Sequence, residues 1–217
     1  MMTYEEIIKN EEINIYIKEA DKTLAEIGYT EHSFAHVSKV AKDAGNILEK
    51  LGYDSHTIEL VKIAGYMHDI GNLINRVDHS QSGAIMAFRI LDHLNFDPKD
   101  IAKIVSAIGN HDENHGMPVS PIAAALILAD KGDVRRSRVR NQDRNTFDIH
   151  DRVNYSVFDS KYEINGKKII LKLKLDTDIS SVMEFFEIFM TRMIMCTNAA
   201  KRLGLEFVLN INDVVVS

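Results

Sequence analysis

The chain predicts a mainly α-helical bundle that carries a small C-terminal β-β-α-β appendage. Three observations predict it. Up to about residue 133, apolar residues recur every three or four positions in segments bounded by capping residues and glycines. From about 155 to 175 the pattern becomes strand-like around Asn165-Gly166, a dipeptide suited to a tight hairpin. A long helical stripe then covers 179–203, and a short run rich in β-formers follows at 206–211.

The elements follow in order. Thr3 and Glu6 have capping-box spacing, and one amphipathic helix is expected from there to about Ile27, stopped by Gly28. Thr30 or Ser33 caps a second helix, in which Phe34, Val37, Val40, Ala41, Ala44 and Leu48 form one stripe and Gly52 ends it. Asp54 or Ser55 opens a third, with Ile58, Val61, Ala64 and Met67 on one face and Gly71 as the stop. A fourth is expected from about Gln81 to Leu94. Asp97-Pro98 and Ser120-Pro121 pair a capping side chain with proline at the first helical position, so they start a fifth and a sixth helix. Residues 134–151 are polar, charged and without a period. The two hairpin strands, the long helix and the last strand complete the appendage. The division is a helical unit over 1–150 and an α+β unit over 151–217. Read as a three-stranded antiparallel sheet, the appendage has exposed edges, and pairing them between chains is one remedy, so a homodimer is expected.

Composition bounds the function. The chain has 217 residues, 45% hydrophobic and 27% charged, enough to bury a substantial core. A net charge of −6 argues against bulk nucleic-acid or membrane binding, while leaving room for a local phosphate site. The single cysteine, Cys196, allows no intrachain disulfide and suits a reducing cytoplasm. Residues 1–10 do not read as a signal peptide, and no apolar run reaches bilayer length. A cytoplasmic protein is therefore expected.

The chemistry sits in histidines and carboxylates at helix ends. His68-Asp69 closes an apolar helix, where backbone carbonyls favour a cation. His36 lies beside the stripe of its helix, His111 follows Ile108 at a helix end, and Asp130 follows the stripe Ala125, Leu126, Ala129. His79 precedes the fourth helix. A lone histidine near an apolar face is more often a satisfied core residue than a ligand. A set of imidazole and carboxylate groups spread over several helices is instead what a buried site for a borderline divalent metal needs.

The segments His36-x3-Val40, Ala64-Gly65-Tyr66-Met67-His68-Asp69-Ile70-Gly71-Asn72, His79-x3-Gly83-Ala84, Ile108-Gly109-Asn110-His111 and Ala129-Asp130 resemble the HD-domain metal-dependent phosphohydrolase superfamily, over roughly residues 30–135. The resemblance implies an HD-type helical bundle. It implies that His36, His68, Asp69 and Asp130 hold one divalent ion (Mn, Fe, Mg, Co, Ni or Zn). In members with two metals, His79 and His111 match the added ligands, with Asp69 between the two ions. Asn110 stands where some of those members have a further histidine. The implied reaction is metal-assisted attack of water on phosphorus.

Further roles are read from adjacency and charge. Asp112 and Glu113 are candidate proton shuttles. Lys131, Arg135 and Arg136, directly after Asp130, are candidate phosphate contacts, because arginine offers a bidentate fork and lysine a point charge. Arg76 and His115 are further substrate candidates. The reading is a metal-dependent phosphohydrolase acting on a phosphate ester or anhydride, of a nucleotide above all. The alternative is a metal- and nucleotide-binding regulatory module without turnover.

Overall fold

The computed structural model describes residues 2–216. Its helical part begins with α1 (Tyr4–Ile7) and α2 (Glu11–Glu26). The single helix expected here is split, because Asn10 leaves helical geometry and its side chain accepts the backbone N–H of Ile13 as a new cap. Then come α3 (Phe34–Lys50), α4 (Ser55–Met67), α5 (His79–His93), α6 (Pro98–Gly109) and α7 (Pro121–Lys131). The caps foreseen at Asp54, Asp97 and Ser120 all accept backbone N–H groups. Helix α5 starts at His79, two residues before the expected Gln81, because Asp78 takes a left-handed conformation (φ 55°) and turns the chain there.

Helix α7 is apolar on all sides, with Ile122 to Ala129 buried, and α3, α4 and α6 pack around it. It is the axis on which the other helices are arranged. Two short 3-10 turns, Arg136–Arg138 and Arg144–Thr146, punctuate the polar stretch. Helix α8 (Ile149–Ser156), capped by Asp148, follows them. The expected strand start at Tyr155 is thus helical.

Strands β1 (Val157–Asn165) and β2 (Lys168–Leu175) pair antiparallel across the tight turn Gly166-Lys167, with Gly166 at φ 58°. Helix α9 (Val182–Arg202) leads to β3 (Glu206–Ile211). Here the structure corrects the expected antiparallel sheet: β3 pairs with β2 in parallel, Ile170 opposite Val208. The reason is the connection, since a long helix carries the chain back across the sheet to start the next strand from the same end. A short strand β4 (Val214–Val215), not expected from the sequence, folds back on β3 through Asn212 and Asp213, both with positive φ. The sheet order is β1-β2-β3-β4.

Helix α9 packs on α7 as well as on β3. One apolar cluster therefore runs from Ile7 and Val40 through Leu126 to Phe185, Leu171 and Ile211. No helix among the described residues is long and apolar enough to cross a membrane.

Candidate metal centre

Each candidate ligand stands where a helix begins, ends or crosses α7. His36 lies in the first turns of α3, and His68 caps the C-terminus of α4. After Asp69 the chain tightens into a 3-10 turn, Ile70–Leu73, that runs against the start of α5. Gly71 permits this approach. A Cβ there would lie 2.0 Å from the His79 carbonyl oxygen and 2.4 Å from the Gly83 nitrogen. Gly65 does the same where α4 crosses α3, a Cβ falling 2.7 Å from the Ala41 Cα. His79 opens α5, His111 follows α6, and Asp130 ends the apolar stretch of α7.

The four imidazoles share one orientation. In each, Nδ1 is hydrogen-bonded away from the cluster: His36 to Asp133 Oδ2 (2.7 Å), His68 to the Gly65 carbonyl (2.8 Å), His79 to the Arg76 carbonyl (3.1 Å) and His111 to the Ile108 carbonyl (2.6 Å). In the neutral form of each ring, Nδ1 therefore carries the proton and Nε2 turns its lone pair inward.

The carboxylates meet those lone pairs. Asp69 Oδ2 lies 3.5 Å from His36 Nε2 and 3.3 Å from His68 Nε2. Its other oxygen, Oδ1, lies 3.5 Å from His79 Nε2 and 3.9 Å from His111 Nε2. Asn72 fixes the carboxylate by donating to Oδ1 (2.9 Å). Asp130 Oδ1 lies 3.4 Å from His36 Nε2 and 3.7 Å from His68 Nε2. On the opposite side Asp112 Oδ1 stands 4.0 Å from His79 Nε2. Two overlapping groups result, His36-His68-Asp130 and His68-Asp69-His111, each compact enough to hold one ion.

The donor set fits a divalent cation on two grounds. Among the described residues, His36 Nε2 and His68 Nε2 are buried and have no hydrogen-bond partner, a costly state for polar atoms unless something of opposite character sits between them. The electrostatics agree. Burial disfavours an imidazolium at His68, but Asp69 and Asp130 outweigh it and lift its pKa to about 10, so the space between these carboxylates favours positive charge. Burial keeps His79 and His111 neutral, their pKa values lowered, as ligation requires.

Around this core lies a chain of ion pairs. Lys131, itself buried, contacts Asp130 (2.8 Å) and Glu113 (2.5 Å), and Glu113 also accepts from Arg192 Nε of α9 (3.2 Å). Burial alone would raise the Glu113 pKa, but Lys131 and Arg192 hold it well below the usual carboxylate range. A carboxyl held ionised in this way is a poor proton shuttle. Glu113, singled out by adjacency, instead anchors Lys131 and Arg192. Asp133 is also held low: burial opposes ionisation, while His36, Arg138 and Arg135 outweigh it.

A small hollow over Asp69, His79, His111 and Asp130 shares His32, Arg76, Arg138 and Arg192 with a larger cleft of about 310 Å³. Arg76 and Lys131 thus lie at the site. Arg135 and Arg136 do not line either space: Arg135 donates to Asp133 (2.8 Å), and Arg136 donates to the Tyr155 carbonyl (2.6 Å) and stacks on its ring. His115 is exposed and lines neither space. Asn110 turns back to the Ser106 carbonyl (2.9 Å).

Several residues escaped sequence reasoning. Nothing local in the sequence separates Arg138 from Arg135, Arg136 and Arg140, or Asp133 from the other carboxylates of the polar stretch that follows α7. Arg192 had one signal, a cation in a largely apolar helix, which also fits an exposed face.

Comparison with known proteins places the cluster in context. The family model of the HD domain matches residues 33–135. An uncharacterized protein of Methanocaldococcus jannaschii is 26% identical over 172 residues, 69% of this chain and 66% of that protein, so the chain spans slightly less than two thirds of this relative. A crystal structure of a predicted HD superfamily hydrolase from an uncultured Thermotogales bacterium is 27% identical, with 62% of this chain and 75% of that chain covered and a TM-score of 0.47.

Proposed function

Residues 33–135 match the family model of the HD domain, and from that match we propose that the protein is a metal-dependent phosphohydrolase acting on a phosphate ester or anhydride of a nucleotide. The observation that carries this is the pair of Asp69 oxygens, each facing two inward imidazole nitrogens. His36, His68, Asp69 and Asp130 would hold one divalent ion. His79 and His111, with the second oxygen of Asp69, would hold another. Bound there, such ions supply Lewis acidity that offsets phosphoryl charge and acidifies water.

The chain's own residues do the rest. Arg76 and Arg138, at the junction of the two spaces, and Lys131 beside Asp130 provide positive charge for the phosphoryl oxygens. Asp112, buried with Oδ1 4.0 Å from His79 Nε2, would orient a water or take its proton. The cleft volume of about 310 Å³ suits a small organic phosphate.

The test is elemental analysis of freshly purified protein, followed by phosphate release from a nucleotide panel with Mn, Mg, Fe or Co. Turnover abolished by His68→Ala and Asp69→Ala is expected. No turnover in metal-loaded protein, with tight nucleotide binding retained, would replace the enzyme by a binding module.

A further inference from the structure

We infer that the substrate carries a single phosphate, gripped by Arg192 of α9 together with Arg76, and that its uncharged, hydroxyl-bearing body lies against Asp148, Asp151 and Asn154 of the cleft's far wall. The inference rests on the phosphohydrolase reading above and narrows its substrate class.

Arg192 has the properties of a ligand-binding guanidinium. It lines both the hollow over the ligands and the larger cleft. Its Nε is fixed on Glu113 (3.2 Å), and its plane lies over the Phe189 ring at 4.6 Å. Among the described residues its terminal amino groups have no hydrogen-bond partner. The fork is therefore preoriented and uncommitted, which is the state that suits bidentate contact with a phosphate. Arg76 lies over the Tyr29 ring and is held through one terminal amino group, Nη1, which donates to Asn72 Oδ1 (3.2 Å) and lies 3.4 Å from His79 Nε2, so its other terminal amino group is the one turned to a ligand. Arg192 lies outside residues 33–135, so this grip comes from the C-terminal segment and not from the HD domain.

Charge is graded along the cleft. The arginines line the part shared with the hollow over the ligands. The wall that is not shared comes from the start of α8, from residues 27–30 and from Phe189; among the described residues it contains Asp148, Asp151 and one histidine, His150, but no lysine or arginine. Asn154, more than nine-tenths buried, sits in that same wall, as Arg138 does at the other end. A second or third phosphate reaching this wall would meet two carboxylates, whereas ribose hydroxyls would find acceptors.

The test is calorimetric binding to the full, metal-loaded chain at fixed ionic strength, with ribose 5-phosphate, AMP, ADP and ATP as probes and adenosine as control. AMP is expected to bind more tightly than ADP, and ADP more tightly than ATP. Arg192→Gln should weaken AMP by about tenfold or more, as loss of a charged bidentate contact does, without changing adenosine. Arg192→Lys should restore part of it. Asp148→Asn with Asp151→Asn should narrow the gap between AMP and ATP, since asparagine still caps α8. Absence of binding by every phosphate probe, ATP binding tighter than AMP, or AMP unaffected by Arg192→Gln would overturn the inference. Turnover of p-nitrophenyl phosphate, measured in parallel, reports the underlying reading separately: its absence with the AMP preference intact removes the hydrolase and leaves the cleft assignment standing.

Discussion

Asp133 shows how one side chain outside the ligand set controls the site. It accepts the Nδ1 proton of His36 at 2.7 Å and so dictates which nitrogen faces the cluster. Asp133→Asn weakens that hold and leaves the amide free to donate instead. Metal affinity, measured by competition with a chromogenic chelator, is expected to fall about 10- to 100-fold, as for other partners that orient ligands. Glu113 makes a different prediction. Its pKa is depressed on folding, so its stabilisation is fully present above the unfolded value of about 4 and shrinks as pH falls below it. Glu113→Gln should cost about 1–3 kcal/mol in urea denaturation at pH 7. The difference from the unsubstituted protein should narrow toward pH 3. A constant difference across that range would show that Glu113 acts by shape alone.

Among the elements, the junction of α4, the 3-10 turn and α5 is the most demanding. It places Asp69 and His79 within 3.5 Å of each other, and its closeness depends on Gly71. Gly71→Ala inserts a Cβ 2.0 Å from backbone oxygen, which the neighbouring chain cannot yield to without moving α5. A stability loss of about 3 kcal/mol or more is expected in a denaturant titration, together with loss of metal binding on the His79 side. Gly52→Ala, in open space but at positive φ (77°), should cost only about 1 kcal/mol and leave the site intact.

These same elements show what was legible in the sequence. Caps, prolines and apolar stripes announce α3 to α7 because those signals are local. The Asn10 break was hidden inside a continuous stripe, since the apolar period does not register a three-residue interruption. The parallel pairing of β2 with β3 was hidden because strand direction depends on how α9 packs, a tertiary fact. Likewise the ligands were legible as helix-end histidines and acids in family spacing. Arg192 and Arg138 were not, because their position is set by folding of distant segments over the cleft.

In the whole molecule, the helical part and the sheet share one apolar cluster, with α9 packed on both α7 and β3. Cooperative unfolding in a single transition is therefore expected. A cation bound to ligands from α3, α4, α7 and the start of α5 ties these segments together only in the folded state. Removing it with a chelator should lower Tm by about 5–10 °C relative to protein held at about 100 times the dissociation constant. Biphasic melting, or a Tm that ignores the chelator, would show that the metal centre and the fold are not coupled in this way.

Anomalous diffraction from crystals of the purified protein soaked in manganese decides whether the cluster is a metal centre. The expected result is a strong peak enclosed by His36, His68, Asp69 and Asp130 at about 2.0–2.3 Å from the ligand atoms, with a second peak on the other side of Asp69 toward His79 and His111. Fully soaked crystals with no peak among these residues would contradict it.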